Sequence, residues 1–501
     1  MGIVLFRESA NGPKNRLPAR HAAAHPETAL RVSVTMVTAV WGDWHIRQLL
    51  ELNLPTLMAD GNLPNLARRH AVSYRIFTRK ADMESLAGSP VIEHLRSLMP
   101  IELFTLPDDI LKNPIAAHHH AWDEATQAAQ ADDSFVLYLP PDVAWSDQSF
   151  AHLADLLAAG RQAIFMTYLR AESSSFTAAM RARRPVEGYA LPISGRELVA
   201  LALDCLHPLM GASLRTSSRL PRHPEMLFWA IPGEGLSLRV LAREMFLFNP
   251  RRISLNAASL IGNEIDPSEI QFVSDSDQLF AVSLAELGKD VDWHMKLRAA
   301  DPVEIGRWWL NYDSPANDML ASHKIRWHFN PATEAEWRQR ERAGDLFVRR
   351  CGVIREGLRL RAIAQEMGCS KAAQLIAFAA HWGILEHVVR GNGVTTILMP
   401  VNAAFTKLPD GFFEHLLTQA SGKDLTRFLR AHCIVASRRP RALPDNTTGA
   451  AATLRKVMAW LRLVGRAEKF PELGDANIIG RPILAGRHIV LLIDRCLGLS
   501  R

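Results

Sequence analysis

The chain has 501 residues, of which 48% are hydrophobic and 22% are charged. This length exceeds one ordinary core and predicts two or three globular domains, which excludes a fibrous or wholly disordered protein. The net charge of +6 is uneven, because residues 1–320 carry 30 Lys and Arg against 37 Asp and Glu, whereas residues 321–501 carry 28 against 15. The basic character therefore belongs to the C-terminal third. There it indicates either a solvated Arg-rich surface or a face for an acidic polymer, an anionic membrane or the acidic N-terminal part.

The cysteines and the N-terminal residues bear on the compartment. Five scattered cysteines without a Cys-x-x-Cys pair predict reduced thiols rather than a disulfide framework. Residues 1–30 hold no apolar signal segment, and no run of about 18 apolar residues occurs anywhere. We therefore expect a flexible arm over residues 1–30 and a cytoplasmic protein without a transmembrane segment, although the membrane periphery stays open. Aromatic residues do not interleave the Arg runs, so no nucleic acid partner is expected.

Residues 31–299 alternate between strand and helix patterns. The predicted strands are apolar, β-branched runs at 32–40, 72–78, 101–106, 134–139 and 162–167. Helical spacing separates them at 45–57, 82–98, 116–131 and 148–159, and a further helix is predicted over 196–209. An irregular loop over 211–235 and a strand-like region over 236–249 follow. The alternation predicts an α/β domain with a doubly wound, mainly parallel sheet.

The strand predicted over residues 134–139 runs into Pro140-Pro141-Asp142. In open α/β sheets ligands bind beyond the carboxyl ends of strands, and a carboxylate there can hold a divalent cation that neutralises a diphosphate. This strand, the polar turn from Thr38 to Asp43 and the helix that begins at His118-His119-His120 together form a pattern that resembles GT-A-type glycosyltransferases. The Asp-x-Asp motif usual at this point is degenerate, because Pro140 stands in place of the first acidic residue.

The resemblance implies a nucleotide-sugar donor, a Mn²⁺ or Mg²⁺ ion at Asp142, and a glycan or protein acceptor. It also implies donor contacts from the turn that contains Thr38 and Asp43. Consecutive helical residues point about 100° apart, so the three histidines cannot all face one ion. We expect His119 or His120 to contact the diphosphate or sugar, and the alternative is a polar helix start with one imidazole packed inward.

Two later segments offer further candidate residues. Glu234 lies between Gly233 and Gly235, which let the backbone approach a ligand, and the resemblance implies that it is the general base on the acceptor hydroxyl. Trp229 is the candidate that stacks on a sugar. The alternative is an ordinary turn with a solvated Glu and a core Trp. Asp275 and Asp277 either bind a cation or form an exposed acidic turn.

Residues 300–366 are rich in charge and tryptophan and predict a helical connector. Beyond it, Thr395 to Pro409 reads as a buried strand, a Pro-Val-Asn turn and a short helix. This segment resembles the first signature of fasciclin (FAS1) domains, and the segment around His432 resembles the second. The resemblance implies an α+β FAS1 domain over residues 367–501, usually a module for adhesion or binding. It also implies structural rather than catalytic roles for four signature residues, Pro400, Asn402, Phe405 and His432. An Arg-rich stretch over 436–468, with helical spacing over 454–464, departs from the family pattern.

These patterns support two functional hypotheses. In the first, a GT-A-like domain over residues 31–299 transfers a sugar from a nucleotide-sugar donor, and the FAS1 module binds an acceptor or a protein partner. In the second, a degenerate transferase fold and the FAS1 module are both non-catalytic interaction surfaces, which Pro140 favours. The donor sugar, the acceptor, the stereochemistry and the oligomeric state are not predicted by the sequence.

Overall fold

A computed structural model describes most of the chain in two compact units. The first comprises Met1–Ala300 with Ser314–Asp345, and the second comprises Asp301–Asp313 with Leu346–Arg501. The described residues are 31–183, 188–215, 219–220, 224–242, 246–252, 267–288, 298–299, 301–312, 315–330, 333–387, 395–418, 422–435, 476, 478–485 and 488–497. The predicted arm over 1–30 and the Arg-rich stretch over 436–468 lie outside the described residues.

The strands and helices are numbered in chain order. The strands are β1 (Ser33–Ala39), β2 (Ala71–Thr78), β3 (Ile101–Thr105), β4 (Ser134–Tyr138), β5 (Val143–Trp145), β6 (Ala163–Phe165), β7 (Leu169–Glu172), β8 (Arg219–Leu220), β9 (Met226–Ile231), β10 (Gly235–Val240), β11 (Leu247–Phe248), β12 (Ile270–Phe272), β13 (Ala281–Ala285), β14 (Arg298–Ala299), β15 (Ile325–His328), β16 (Thr395–Pro400), β17 (Cys433–Val435), β18 (Ile478–Ala485) and β19 (His488–Ile493). The α-helices are α1 (Asp43–Gln48), α2 (Leu54–Leu57), α3 (Leu63–Arg69), α4 (Met83–Ala87), α5 (Pro90–Arg96), α6 (Pro114–Ala131), α7 (Ser149–Ala158), α8 (Ser173–Arg181), α9 (Gly195–Asp204), α10 (Pro208–Ala212), α11 (Pro302–Leu310), α12 (Pro315–Ser322), α13 (Glu334–Glu366), α14 (Ser370–His381), α15 (Phe412–Leu416) and α16 (Gly422–Ala431). A π-helical segment, Leu49–Asn53, joins α1 to α2.

The first unit is built on a seven-stranded sheet in the order β12-β6-β11-β4-β1-β2-β3. The pairs of β1 with β2, β1 with β4, β2 with β3 and β6 with β12 are parallel, whereas β11 runs antiparallel to both of its neighbours. Two smaller sheets have the orders β15-β10-β9 and β5-β13-β7. The predicted α/β class with a mainly parallel sheet is therefore confirmed.

Alternating side chains of β1 reach cores on both faces of the large sheet. Val34 and Met36 pack in one buried cluster, and Val37 and Ala39 pack in the other. The second cluster receives α6 through an alanine stripe at four-residue spacing, Ala117, Ala121, Ala125 and Ala129. Helix α6 begins where the sequence supplies a cap, because Asn113 accepts hydrogen bonds from the Ile115 and Ala116 amides and Pro114 follows it. The small alanine side chains let α6 lie close to the sheet.

The second unit combines helices with a four-stranded sheet in the order β17-β16-β19-β18. Strand β16 pairs parallel with β19 and antiparallel with β17. Its buried core joins the later part of α13 with α14, α16 and the sheet, for example through Leu360, Ile376, Phe428 and Met399. Where α11 meets α13, a side chain at Gly306 would lie 2.9 Å from the Cys351 carbonyl oxygen, so the glycine permits the close contact.

The structure differs from the predicted elements in several places. The predicted helix over 82–98 is broken into α4 and α5, because Gly88 and Pro90 interrupt the pattern. The loop predicted over 211–235 contains β9, and the helical connector predicted over 300–366 contains β15. Both missed strands belong to the sheet β15-β10-β9, in which β9 and β10 form a hairpin and β15 joins from a distant part of the sequence.

Candidate functional site

The strand order of the large sheet reverses between β1 and β4. From β1 the chain adds β2 and β3 on one side, and it then crosses over to place β4 on the other side. Such a topological switch point leaves a crevice outside the carboxyl ends of the two strands, where ligands bind in doubly wound sheets. A cavity of about 210 Å³ lies at this position. It is lined by Ala39, His118, Trp122, Tyr138, Leu139, Pro140, Pro141, Trp145, Met166, Tyr168 and Phe246.

Aromatic rings dominate the cavity wall. Trp122 of α6 stacks on Tyr138 at the end of β4, with ring centroids 4.7 Å apart and an angle of 17° between the planes. The Tyr138 hydroxyl is hydrogen-bonded to the Thr126 hydroxyl at 2.9 Å, which fixes the ring. His118 lies one helical turn before Trp122 and packs against Trp41 at 5.0 Å. These flat surfaces suit a planar ring or the apolar face of a sugar.

The π-helical segment holds the turn that carries Asp142 in place through hydrogen bonds. Asn53 is fully buried and donates hydrogen bonds from its amide nitrogen to the Pro140 oxygen at 3.0 Å and the Val143 oxygen at 2.8 Å. Short π-helical segments recur at functional sites. Asp142 is half-buried, directly follows Pro141 of the cavity wall, and accepts a hydrogen bond from the Leu284 amide at its carbonyl oxygen. Asn53 thus positions the turn, a role that was not predicted from the sequence.

Thr38 near the end of β1 and Asp43 after it, the two donor contacts expected in this region, have different surroundings. Thr38 is completely buried, and its hydroxyl donates to the Leu139 carbonyl oxygen at 2.7 Å and lies 2.6 Å from the Tyr74 hydroxyl. Thr38 therefore ties the end of β1 to the middle of β2 and to the residue that follows β4. Asp43 is exposed and is the first residue of α1.

The structure places a different histidine in the cavity from the two that we expected. His118 lines it, whereas His119 is exposed and His120 pairs with Glu124 at 3.1 Å. Burial lowers the pKa of His118 to about 4, with smaller effects from His119 and His45. His118 is therefore a neutral imidazole at physiological pH. Its Nδ1 lies 3.3 Å from the Pro114 carbonyl oxygen and donates to it, so Nε2 remains as a hydrogen-bond acceptor.

Glu234 and Trp229 lie on the β9–β10 hairpin of a smaller sheet, and neither belongs to the described lining of the cavity. Trp229 is buried in β9. Glu234 is half-buried, and burial together with the nearby Glu336 carboxylate raises its pKa. Its main-chain oxygen accepts a hydrogen bond from the Phe329 amide at 2.9 Å. A carboxyl group with a raised pKa is suited to proton transfer, but the structure does not bring Glu234 to the cavity wall.

In the second unit, Asn402 and His432 hold main-chain groups together. The Asn402 side chain accepts a hydrogen bond from the Lys371 amide at 3.0 Å and donates to the Gly368 oxygen at 2.8 Å, which joins the end of β16 to the start of α14. His432 is buried, with Nδ1 2.7 Å from the Phe428 carbonyl oxygen and Nε2 3.0 Å from the Leu497 amide. Both ring nitrogens are satisfied if Nδ1 carries the proton.

The other two signature residues belong to the sheet and the core. Pro400 is the last residue of β16 and is aligned with Ile493 of β19. Phe405 is buried in the apolar core of the second unit and contacts Phe413 edge to face. The four signature residues therefore surround the carboxyl end of β16 and its supporting core.

Comparisons with known proteins assign the C-terminal part of the chain. Residues 368–499 match the family model of the Fasciclin domain. No curated protein matches the chain. Among the described residues, no helix combines the length and apolar character needed to cross a membrane. Fasciclin domains are modules for adhesion and interaction, often in secreted or extracellular proteins, so the match does not support the expected cytoplasmic location. The matched residues contain the strand and turn of the first signature together with His432, and residues 368–499 are a fasciclin domain.

Proposed function

We propose that the first unit is a GT-A-like transferase domain that binds a nucleotide sugar in the crevice between β1 and β4. The fasciclin domain supplies the contact with an acceptor or a protein partner. The observation that carries the proposal is the aromatic cavity at the switch point of the large sheet. Nucleotides bind at this place in doubly wound sheets because main-chain groups and loops converge there.

The shape and chemistry of the cavity wall fit the planar end of such a donor. Trp122 and Tyr138 present stacked rings, and stacking of a base on an aromatic side chain contributes about 1–3 kcal/mol. The neutral His118 adds one hydrogen-bonding group to this apolar wall. A cavity of about 210 Å³ holds a base or a sugar but not a complete nucleotide sugar, so the remainder of the donor extends toward solvent.

The diphosphate is assigned to the turn that follows β4. Asp142 offers a carboxylate one residue beyond the cavity wall, and carboxylate oxygen is the ligand that Mg²⁺ and Mn²⁺ prefer. When bound, the cation neutralises the charge that develops on the departing diphosphate. Asp142 would hold the ion through one ligand, and phosphate oxygens and water would complete its shell. Asn53 keeps the turn in place through its two hydrogen bonds.

Glu234 is the proposed base for the acceptor hydroxyl, and Trp229 is the proposed platform for a sugar. The raised pKa of Glu234 supports the first assignment. Thr38, Asp43, His119 and His120 remain proposed donor contacts. The buried, doubly hydrogen-bonded hydroxyl of Thr38 favours a supporting role for that residue.

The second candidate function is a non-catalytic scaffold. Two observations favour it, namely Pro140 at the position of the first acidic residue and the location of Glu234 and Trp229 outside the described cavity lining. A scaffold retains the fasciclin domain as its interacting part but needs no donor.

Calorimetry of the full-length chain with nucleotide sugars and Mn²⁺ distinguishes the transferase from the non-catalytic scaffold. We expect Asp142→Ala to abolish metal-dependent donor binding and Trp122→Ala to weaken it by about tenfold or more, the equivalent of losing one stacking contact. Asp109→Ala and Tyr189→Ala are matched controls, because both residues are exposed and neither lines the cavity. An unchanged donor affinity in Asp142→Ala would contradict the proposed metal-binding role of Asp142. Equal donor affinities in all four variants would contradict the proposed donor site.

A further inference from the structure

Three side chains of metal-ligating type, from two separate segments, converge in the first unit outside the lining of the cavity. Asp275 and Asp277 lie in the turn between β12 and β13, and His328 is the last residue of β15. His328 Nε2 lies 2.8 Å from an Asp275 carboxylate oxygen and 3.7 Å from an Asp277 carboxylate oxygen. One ligand atom from each residue lies within 4.8 Å of the others.

We propose that Asp275, Asp277 and His328 form a binding site for a first-row divalent metal ion of the Zn²⁺ class. Four ligands about 2.1 Å from a tetrahedral ion lie about 3.4 Å from one another, and the two His328 distances bracket this value. One imidazole nitrogen with two carboxylate oxygens suits Zn²⁺ better than Mg²⁺ or Ca²⁺, which prefer oxygen ligands alone. The fourth position stays open to water or a small ligand.

Main-chain contacts hold the three ligands in place. The acidic turn is joined to β15 by hydrogen bonds from the Arg326 amide to the Ser274 oxygen and from the Ser276 amide to the Arg326 oxygen. The His328 amide donates to the Ser276 hydroxyl oxygen at 3.1 Å. The His328 ring packs edge to face against Trp337, with centroids 5.9 Å apart. Such outer contacts orient a metal-binding histidine before the ion arrives.

The charges near the cluster leave it net negative. Asp277 forms a two-pronged ion pair with Arg196 at 2.7 and 3.1 Å, which offsets one of the two carboxylates. Arg326 also lies near Asp275, but it is paired with Glu334 and Glu341. The two aspartates and Arg196 together carry one negative charge, so Arg196 weakens metal binding without preventing it.

This site is separate from the ion proposed at Asp142. Strand β13 pairs with β5, and the Leu284 amide near the end of β13 donates to the Asp142 oxygen. Asp277 lies in the turn that leads into the other end of β13, which begins at Ala281. The two carboxylates therefore lie toward opposite ends of β13, and one ion does not contact both.

Titration of the full-length chain with Co²⁺, followed by displacement with Zn²⁺, tests the site. Tetrahedral Co²⁺ gives visible absorption bands, so the readout does not depend on catalysis. We expect one equivalent to bind, Asp275→Asn and His328→Gln each to weaken binding by more than tenfold, and Arg196→Gln to tighten it by about tenfold. Asp142→Ala is expected to leave the titration unchanged, which separates this site from the donor site.

The matched control is His415→Gln, because His415 also pairs with an aspartate, Asp424, at 3.1 Å but lacks a second carboxylate in a described cluster. This variant is expected to bind Co²⁺ as the native chain does. Absence of binding, or binding that persists unchanged in both Asp275→Asn and His328→Gln, would overturn the proposal and leave an ion-pair network only.

Discussion

At the scale of single residues, the rotational phase of helix α6 decides which of the three histidines lines the cavity. The sequence shows three consecutive histidines but not which of them faces the sheet, and His119 or His120 was expected at the donor. The alanine stripe of α6 faces the sheet and leaves His118 beside Trp41 in the cavity wall. The phase follows from packing of α6 on β1 and β4. The four-residue spacing of the alanines in α6 is the sequence signal from which this phase could have been predicted.

The buried imidazole of His432 makes the fasciclin domain sensitive to acid. Burial lowers its pKa to about 4, whereas an unfolded histidine titrates near 6.5. The contribution of the neutral His432 to the free energy of unfolding is therefore fully present above about pH 6.5. It is lost as the pH falls toward 4, and the loss amounts to about 3 kcal/mol in total. Hydrogen exchange of β16 and β17 in the full-length chain, corrected for intrinsic rates, measures this loss.

His432→Gln is expected to remove most of that pH dependence, because no titrating ring remains in the core. His415→Gln serves as the control, since His415 is exposed. An unchanged pH dependence in His432→Gln would show that another group is responsible.

At the scale of elements, local patterns located β1 to β4 and β6, but they missed β9, whose segment is rich in proline and arginine, and β15, whose partner β10 is distant in sequence. β1, β2, β3 and β4 are apolar runs that the sequence displays clearly. β9 and β15 lie in segments rich in proline, arginine or charge, and they form a sheet only because β10 joins them. The Asn53 contacts were hidden for the same reason, since Pro140 lies 87 residues away.

Gly235 at the start of β10 is required by close packing of this sheet. A Cβ atom there would lie 2.0 Å from the Trp327 carbonyl oxygen, which is main chain and cannot rotate away. We expect Gly235→Ala to lower the free energy of unfolding by about 2–3 kcal/mol, as overpacking does. Urea unfolding followed by circular dichroism measures the change.

Gly211→Ala is the matched control, because a Cβ atom at Gly211 meets nothing within 4 Å and the residue lies in α10. Alanine is expected to be neutral or slightly stabilising there. Equal stability of the two variants would contradict the packing at Gly235.

At the scale of the whole molecule, the C-terminal part of the chain is assigned to a domain family, whereas the first unit is assigned only to a fold class. The fasciclin signature was specific enough to predict a FAS1 domain over residues 367–501 from the sequence, and the family match over residues 368–499 confirms a fasciclin domain there. The first unit was predicted as an α/β fold from periodicity alone, and its sheet order and aromatic cavity support the transferase proposal. The proposed donor site draws on side chains from β4, α6 and the loop before β11, which no short motif connects.

The most direct test of the donor site is thermal unfolding of the full-length chain with nucleotide sugars of different bases and sugars, each with Mn²⁺ or Mg²⁺. We expect one donor to raise the unfolding midpoint of the first unit, since a ligand at 100 times its Kd stabilises the folded state by about 2.7 kcal/mol. The shift is expected to disappear in Trp122→Ala and to persist in Tyr189→Ala. A chain whose midpoint no nucleotide sugar raises would contradict the account and favour the scaffold.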